Sequence, residues 1–202
     1  MKILIVSDLH QQRKCLDNFV RVLDKEKPDG VLCPGDVTDR GTNNLEYAKK
    51  FVEVCKTHNV PLRVVHGNND DLNIRAYFKE QGILWHFQCE KIWGTQFCGV
   101  GWLDEEGPSL GITEASSKAI PEKFDVAGSI LVTHAPPTSA SRRTAQVDPK
   151  SKPVMHISGH MHSWEGEQVR NGIRWVRIPT FMHGRYAVLT LPDLKVSFRS
   201  ST

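Results

Sequence analysis

Short apolar runs that end in polar loops constrain this chain more than any other feature of its sequence. Five runs have the length of a buried strand, and Asp, Asn or His follows each within a few residues. The early runs alternate with segments of helical spacing, which predicts right-handed crossovers and parallel strands. Because such strands end at one edge of a sheet, we expect their polar residues to share one crevice. These residues are Asp8 and His10, Asp36, Asn68 and Asp70, His134, and His160 and His162.

The first half of the chain alternates strands and helices. Unbroken apolar runs predict strands over 2–6, 31–33 and 61–65. Apolar residues at helical spacing predict helices over 12–26 and 43–58. This half is therefore expected to form parallel strands.

The second half is richer in strands and is expected to be mainly antiparallel late in the chain. The pair Asn171-Gly172 is a strong hairpin signal, because both turn positions favour a positive φ. The other expected elements are a strand–turn–strand unit over 85–102, a helix near 113–123, strands over 129–132 and 153–157, and a strand pair over 185–191 and 194–199. Together the elements predict an α/β fold and a single domain over residues 1–202.

Charge and composition argue against several classes of function. The 26 basic and 23 acidic residues give a net charge of +3, too mild to favour a nucleic-acid partner. A secretory signal and an apolar run of membrane-spanning length are both missing from the sequence. The five cysteines form no CxxC pair and are expected to be free thiols in a reducing compartment, Cys15, Cys33, Cys55, Cys89 and Cys98. We therefore expect a cytoplasmic protein without a membrane partner.

Each polar loop residue has an ordinary explanation when it is taken alone. A single His after a strand is usually structural, and an Asp there is usually a turn residue or a helix cap. If each loop were explained separately, five independent coincidences would be needed. In addition, Gly35, Gly67 and Gly159 directly precede polar residues, at positions where a tight corner of the chain needs glycine. The histidines without this setting are interpreted as structural or surface groups: His58, His66, His86 and His156.

The types of donor in these loops indicate a metal site. Carboxylate, amide and imidazole groups without cysteine favour divalent Mn, Fe or Zn over a thiolate site. Asp36 lies centrally in the set and is the natural carboxylate to bridge two ions. Two ions roughly 3.5–4 Å apart hold a hydroxide and clamp the attacking and leaving oxygens of a phosphoryl displacement.

The ordered loops resemble the motifs of the calcineurin-like metallophosphoesterases. The matching blocks are DLH at 8–10, GDVTDRG at 35–41, GNND at 67–70, TH at 133–134 and GHMH at 159–162. The resemblance spans residues 4–162. It implies a four-layer αββα sandwich, in which helices flank two mixed β-sheets.

The resemblance also implies a ligand set and a cofactor. One metal would be held by Asp8, His10, Asp36 and His162, and the other by Asp36, Asn68, His134 and His160. Manganese is the first expectation for both ions, with Fe, Zn, Ni and Mg left open. Arg40 matches a phosphate-contacting position, although a surface ion pair is the alternative, and Asp70 matches a residue that orients a catalytic His.

The third block departs from the family pattern at one position. Many relatives carry His after the Asn, where this chain has Asn69. An amide donates hydrogen bonds but cannot act as a general acid near neutral pH. Losing general acid catalysis lowers the rate of hydrolysis about 10²–10⁴-fold when the leaving group is poor. Small family members without this His resemble phosphodiesterases, so a small phosphodiester or nucleotide-like molecule is the expected substrate. The alternatives are a phosphomonoesterase or protein phosphatase, a nuclease, and a non-catalytic scaffold on the same fold.

Several residues are left with two interpretations. The pair Arg142-Arg143 either binds substrate phosphate or belongs to a solvated basic loop, and His183 either approaches the site or is structural. Asp39 is either a partner of a ligand or a helix cap. The tryptophans are expected to fill the core or to form the face of a homo-oligomer, Trp85, Trp93 and Trp102.

Overall fold

The computed structural model describes residues 1–40, 45–102, 124–136, 152–163, 165–170 and 172–201. Its helices are α1 (Arg13–Glu26), α2 (Leu45–Thr57) and α3 (Leu72–Glu80), with a short 3₁₀ helix over Phe181–His183. Its strands are β1 (Lys2–Ile5), β2 (Gly30–Cys33), β3 (Leu62–Val64), β4 (Gln88–Ile92), β5 (Thr95–Val100), β6 (Ile130–Thr133), β7 (Met155–Ser158), β8 (Gly166–Arg170), β9 (Ile173–Arg177), β10 (Arg185–Thr190) and β11 (Lys195–Ser200).

The strands form two mixed sheets. The first has the order β11-β10-β1-β2-β3, in which β1, β2 and β3 are parallel and β10 and β11 are antiparallel. The second has the order β4-β5-β6-β7-β9-β8, in which the four central strands are parallel and the two edge strands antiparallel. The expectation of mainly antiparallel strands late in the chain is therefore wrong for β6, β7 and β9.

The alternating faces of β1 explain its unbroken apolar sequence. Leu4 packs with the helices α1, α2 and α3 on one side of the first sheet. Ile3 and Ile5 point the other way and pack against Val132 and Ile157 of the second sheet. Since both faces of the strand are buried, neither tolerates the polar residues of a half-exposed strand.

The three described α-helices cover the outer face of the first sheet, in agreement with the predicted fold class. The outer face of the second sheet carries a small apolar cluster that contains Val100, Val126 and Leu131. The helix expected near 113–123 lies outside the described residues. The patterns above assign no helix to α3, whose buried Ile74 and Phe78 are four residues apart. No helix in the described ranges has the length and apolar character needed to span a membrane.

The cysteine and tryptophan predictions are corrected in part. Cys89 and Cys98 lie opposite each other on β4 and β5 and form a disulfide, because antiparallel pairing brings residues nine positions apart face to face. The other cysteines are free and buried, namely Cys15, Cys33 and Cys55. Trp85 and Trp93 pack in the core between the sheets, as one of the two interpretations expected.

Candidate metal centre

The loops after five strands bring the predicted ligands to one place. β1 leads to Asp8 and His10, and β2 leads to Asp36. The remaining predicted ligands follow β3, β6 and β7: Asn68, His134, His160 and His162. The carboxyl ends of strands from both sheets therefore meet at this cluster, as expected for ligand sites in α/β folds.

One group of possible ligands, the first ligand group, consists of Asp8, His10 and His162. Their ligand atoms all lie within 4.8 Å of one another. The His162 Nε2 atom is 3.1 Å from Asp8 Oδ1 and also 3.1 Å from His10 Nε2. The three donor atoms are therefore close enough together to bind the same cation.

The second ligand group consists of Asp36, His134 and His160, whose ligand atoms are also within 4.8 Å of one another. His134 Nε2 lies 3.2 Å from Asp36 Oδ2 and 3.2 Å from His160 Nδ1. The amide oxygen of Asn68 is 3.1 Å from His134 Nε2 and adds a fourth donor to this group.

Asp36 lies between the two groups. Its Oδ2 atom is 3.2 Å from His134 Nε2 in the second group and 3.6 Å from His10 Nε2 in the first. A carboxylate that reaches both groups has the position required of a bridging ligand.

Two imidazoles of these groups are oriented by partners behind them. His10 Nδ1 is 2.8 Å from Asp39 Oδ1, and His134 Nδ1 is 2.7 Å from the carbonyl oxygen of Pro34. Such partners fix the ring and leave the opposite nitrogen free to bind a cation. Asp39 was expected to be either a partner of a ligand or a helix cap, and its contact with His10 supports the first role.

The backbone of the site is strained in a way that aims these side chains. The φ angles of Asp8, His10, Asp36 and His160 lie between 48° and 70°, in the left-handed region that non-glycine residues seldom occupy. Sparsely populated angles of this kind gather at functional sites.

Glycines allow the loops to approach each other closely. Gly35 has a φ of 101°, and a Cβ atom there would lie 2.7 Å from His134 Nδ1. At Gly67 a Cβ atom would lie 2.0 Å from Asp36 Oδ1. Any side chain at either position would displace a proposed ligand.

A sequence comparison decides which family this site belongs to. The calcineurin-like phosphoesterase family matches residues 1–164 of the 202-residue chain, a region that includes both ligand groups. The chain belongs to this family. The resemblance drawn from the five sequence blocks is therefore confirmed.

A curated relative matches a shorter segment of this phosphoesterase than the family does. It is described as a probable glycerophosphodiester phosphodiesterase GpdQ of Arcobacter nitrofigilis and is 47% identical over 57 residues. The match covers 28% of this chain and 20% of the relative, so the chain spans about a fifth of the relative's length.

Solved structures show the same fold. TT1561 of Thermus thermophilus has a TM-score of 0.76 at 18% identity, covering 100% of this chain and 99% of that one. A dimetal phosphatase from Danio rerio has a TM-score of 0.61 at 10% identity over 100% and 99% of the two chains. A novel archaeal phosphodiesterase has a TM-score of 0.59 at 14% identity over 99% of both.

The electrostatics of the phosphoesterase site favour bound positive charge. Burial lowers the pKa of His134, but the carboxylates of Asp36 and Asp8 outweigh burial and raise it to about 9. Burial alone would raise the pKa of Asp36, yet His134 and the hydrogen bonds of Asn69 bring it below its usual value. Protons and metal cations therefore compete for the same side chains.

The donor set of the phosphoesterase fits divalent cations. Two pairs of imidazole nitrogens face each other, His10 with His162 at 3.1 Å and His134 with His160 at 3.2 Å. Lone pairs that converge in this way need a proton or a cation between them. Imidazole, carboxylate and amide oxygen donors suit Mn, Fe or Zn.

Asn69 and Asp70 act on the backbone and on the central carboxylate. The backbone N–H and side-chain amide of Asn69 donate to Asp36 over 2.8 and 2.7 Å. The buried Asp70 carboxylate accepts from the backbone N–H groups of Asp36, Thr38 and Gly67 at 2.9–3.0 Å. Asp70 therefore joins the loop that follows β2 to the loop that follows β3.

The other predicted site residues have different outcomes. Arg40 is exposed on the turn that follows Asp39. Arg142 and Arg143 lie outside the described residues. His183 lines a cavity that His162 also lines, which agrees with the interpretation that it approaches the site.

Trp102 is a site residue that sequence reasoning assigned elsewhere. Its ring centroid lies 5.3 Å from that of His160 and 6.0 Å from that of His134. The backbone N–H of Trp102 donates to the backbone carbonyl oxygen of His66 over 2.9 Å, which fixes the chain just beyond β5. The sequence signal that could have revealed this role is the position of Trp102 just after a strand, because the proposed ligands also lie just after strands.

Proposed function

We propose that this phosphoesterase hydrolyses phosphodiester bonds at a dinuclear metal site. The observation that carries the proposal is the position of Asp36 Oδ2, 3.2 Å from one ligand group and 3.6 Å from the other. The ligands we propose are Asp8, His10, Asp36 and His162 for one ion and Asp36, Asn68, His134 and His160 for the other. Manganese is the cofactor that we propose.

The metals and the protein have separate tasks in this proposal. When bound, divalent ions supply Lewis acidity toward the phosphoryl oxygens and the hydrolytic water. Asn69 and Asp70 hold the carboxylate and backbone of Asp36 in place, and Asp39 orients the ring of His10. We propose that Arg40, on the exposed turn that follows Asp39, supplies a cationic fork for the substrate phosphate.

Two observations favour a diester over a monoester. The amide of Asn69 already donates to Asp36 and cannot protonate a leaving alcohol. The curated relative described as a probable glycerophosphodiester phosphodiesterase matches part of this chain. We therefore propose a small phosphodiester or nucleotide-like substrate.

The same proposal covers location and organisation. We propose one domain over residues 1–202 that acts in the cytoplasm. Three buried free thiols agree with a reducing compartment, whereas the Cys89–Cys98 disulfide opposes it. Alkylation of thiols in fresh cell extract, followed by mass spectrometry, decides between these two signals.

The direct test combines metal content with hydrolysis. We expect the purified protein to bind two Mn ions and, with them, to hydrolyse bis(p-nitrophenyl) phosphate. Asp36→Asn should lose the activity, whereas Asp17→Asn, on the exposed face of α1, should keep it. Absence of metal binding, or full activity in Asp36→Asn, refutes the proposal.

The preference for diesters is tested by Asn69→His. If the missing general acid limits monoester hydrolysis, this substitution should raise activity on p-nitrophenyl phosphate more than on the diester. A constant ratio of the two activities would show that Asn69 does not set the preference.

A further inference from the structure

The imidazole rings of the proposed ligands are not all held in the same way. Behind His10, Asp39 Oδ1 lies 2.8 Å from the Nδ1 atom. Behind His134, the carbonyl oxygen of Pro34 accepts from Nδ1 over 2.7 Å. His160 faces His134 through its own Nδ1 atom, and no described residue forms a hydrogen bond with its other ring nitrogen. The orientation of the His160 ring therefore depends on a different kind of contact.

The indole ring of Trp102 packs beside His160. The two ring centroids are 5.3 Å apart, and the ring planes are inclined by 40°. The same indole lies 6.0 Å from the ring of His134, at an angle of 67°. Both separations fall within the range of about 4.5–7 Å in which aromatic pairs attract each other. One side chain therefore contacts two imidazoles of the second ligand group.

Trp102 is held in turn by His66. The backbone N–H of Trp102 donates to the carbonyl oxygen of His66, and the Nε2 atom of His66 lies 2.9 Å from the carbonyl oxygen of Trp102. Because a carbonyl oxygen only accepts, Nε2 must carry the proton and donate. His66 follows β3 of the first sheet and Trp102 follows β5 of the second, so this reciprocal pair joins the two sheets beside the site.

The surroundings of His66 indicate what its ring contributes. The residue is 3% exposed, and its Nδ1 atom has no hydrogen-bond partner among the described residues, which is unfavourable for a buried acceptor. The ring lies against Gly101, where a Cβ atom would be 1.9 Å from Cε1. An apolar side chain could fill this space without an unpaired nitrogen. The feature that an apolar side chain would lack is the Nε2 donor to Trp102.

We propose that Trp102 is a positioning residue that keeps the His160 imidazole in its metal-binding orientation, and that His66 keeps Trp102 in place. An imidazole that binds a cation becomes electron-poor, so the electron-rich indole beside it favours the bound form. This role rests on the dinuclear metal site proposed above, and it gives that site a partner outside the ligand set.

Calorimetric titration of the full chain with Mn tests the role of Trp102. Trp102→Leu should bind one of the two ions about tenfold more weakly, because the ring contacts are lost. Trp102→Phe keeps an aromatic ring and should bind nearly as tightly as the wild type. Phe124→Leu is the matched control, since Phe124 packs against Phe87 in the cluster on the outer face of the second sheet. Wild-type affinity in Trp102→Leu overturns the proposal.

Melting temperatures separate positioning from general stability. Trp102→Leu and Phe124→Leu each remove one partly buried aromatic ring, so both should lower the melting temperature in EDTA by a similar amount. Only Trp102→Leu should also lose part of the rise in melting temperature that Mn causes. The same rise in both variants would show that Trp102 has a structural role alone.

Variants of His66 test the second half of the proposal. His66→Leu should weaken Mn binding, because Trp102 loses its donor, whereas His66→Gln keeps a side-chain N–H and should bind nearly as tightly as the wild type. The double variant of His66→Leu with Trp102→Leu should bind no more weakly than Trp102→Leu, since both changes remove the same contact. Losses that add in full would mean that His66 does not act through Trp102.

Hydrolysis of bis(p-nitrophenyl) phosphate distinguishes this proposal from the proposed function. If Trp102→Leu weakens Mn binding but the wild type does not hydrolyse the diester, Trp102 keeps its role and the catalytic proposal fails. If the wild type binds two Mn ions and hydrolyses the diester, but Trp102→Leu binds both ions equally well, the role of Trp102 alone fails.

Discussion

Asp36 receives two hydrogen bonds from Asn69, one on each carboxylate oxygen. The backbone N–H of Asn69 donates to Oδ1 over 2.8 Å, and its side-chain amide donates to Oδ2 over 2.7 Å. The second bond reaches the oxygen that lies between the ligand groups. Asn69 therefore holds the proposed bridging ligand in place.

Asn69→Ala should weaken metal binding. Loss of a hydrogen bond behind a metal ligand costs about 10–100-fold in affinity, because the ligand is no longer held in its binding orientation. Calorimetric titration with Mn measures the change. Asn73→Ala is the control, since Asn73 is exposed at the start of α3 and should leave the affinity unchanged. Equal affinities in Asn69→Ala and wild type would contradict the role given to Asn69.

Helix α1 is held to the first sheet by a buried charge at its last residue. Glu26 is 2% exposed and accepts from the hydroxyl of Tyr186 over 2.8 Å and from Arg199 over 2.6 Å. Lys2 Nζ is 3.6 Å from the same carboxylate. The C-terminal end of α1 is thus joined to β1, β10 and β11, three neighbouring strands at one edge of the first sheet.

Replacement of this carboxylate should reduce stability in a pH-dependent way. Burial raises the pKa of Glu26, but the hydrogen bonds of Arg199 and Tyr186 outweigh burial and bring the pKa below its ordinary 4.5. A lowered folded-state pKa contributes stability above pH 4.5, and this contribution is lost as pH falls through the folded pKa. Glu26→Gln should therefore cost about 1–2 kcal/mol at pH 7, because a hydrogen-bonded buried charge is lost.

Urea unfolding at pH 7 and at pH 3.5 measures this contribution. The difference in the free energy of unfolding between wild type and Glu26→Gln should shrink at the lower pH. Glu46→Gln is the control, because Glu46 is 77% exposed and pairs with Lys49 on its own helix. A difference that grows at pH 3.5 would show that the sign of the pKa shift is wrong.

At the scale of the whole molecule, the proposed site joins the two sheets. Asp8 and Asp36 follow strands of the first sheet, whereas His134 and His160 follow strands of the second. The contact between Asp36 and His134 therefore crosses the sandwich. Apolar side chains such as Ile5 also pack between the sheets.

Binding of Mn should raise the melting temperature of the whole protein. The unfolded chain does not bring these loops together, so binding stabilises only the folded state, by about 2.7 kcal/mol per site at a free concentration of 100 times Kd. Scanning calorimetry with Mn and with EDTA measures the shift. Asp36→Asn should remove most of it, and Asp17→Asn should keep it. An equal shift in both variants would place the stabilising ions elsewhere.

The sequence by itself determined the family, the fold class and the set of residues that meet at the site. The family and its sandwich fold were implied by the resemblance of five ordered motif blocks, whereas the site residues were also marked by a local signal, since each follows an apolar run of strand length. The helix α3 was harder to predict, since only Ile74 and Phe78 mark its buried face. The disulfide was missed because Cys89 and Cys98 become neighbours only when β4 pairs with β5.

Tertiary structure alone decided how the side chains divide the work. The amide of Asn69 turns toward Asp36, and Trp102 lies beside His160 although it was expected to fill the core or to form the face of a homo-oligomer. The cavity beside His162 depends on Glu165 and Arg185, which come from different sheets. Contacts of this kind join residues that are distant in sequence, and local spacing contains no information about them.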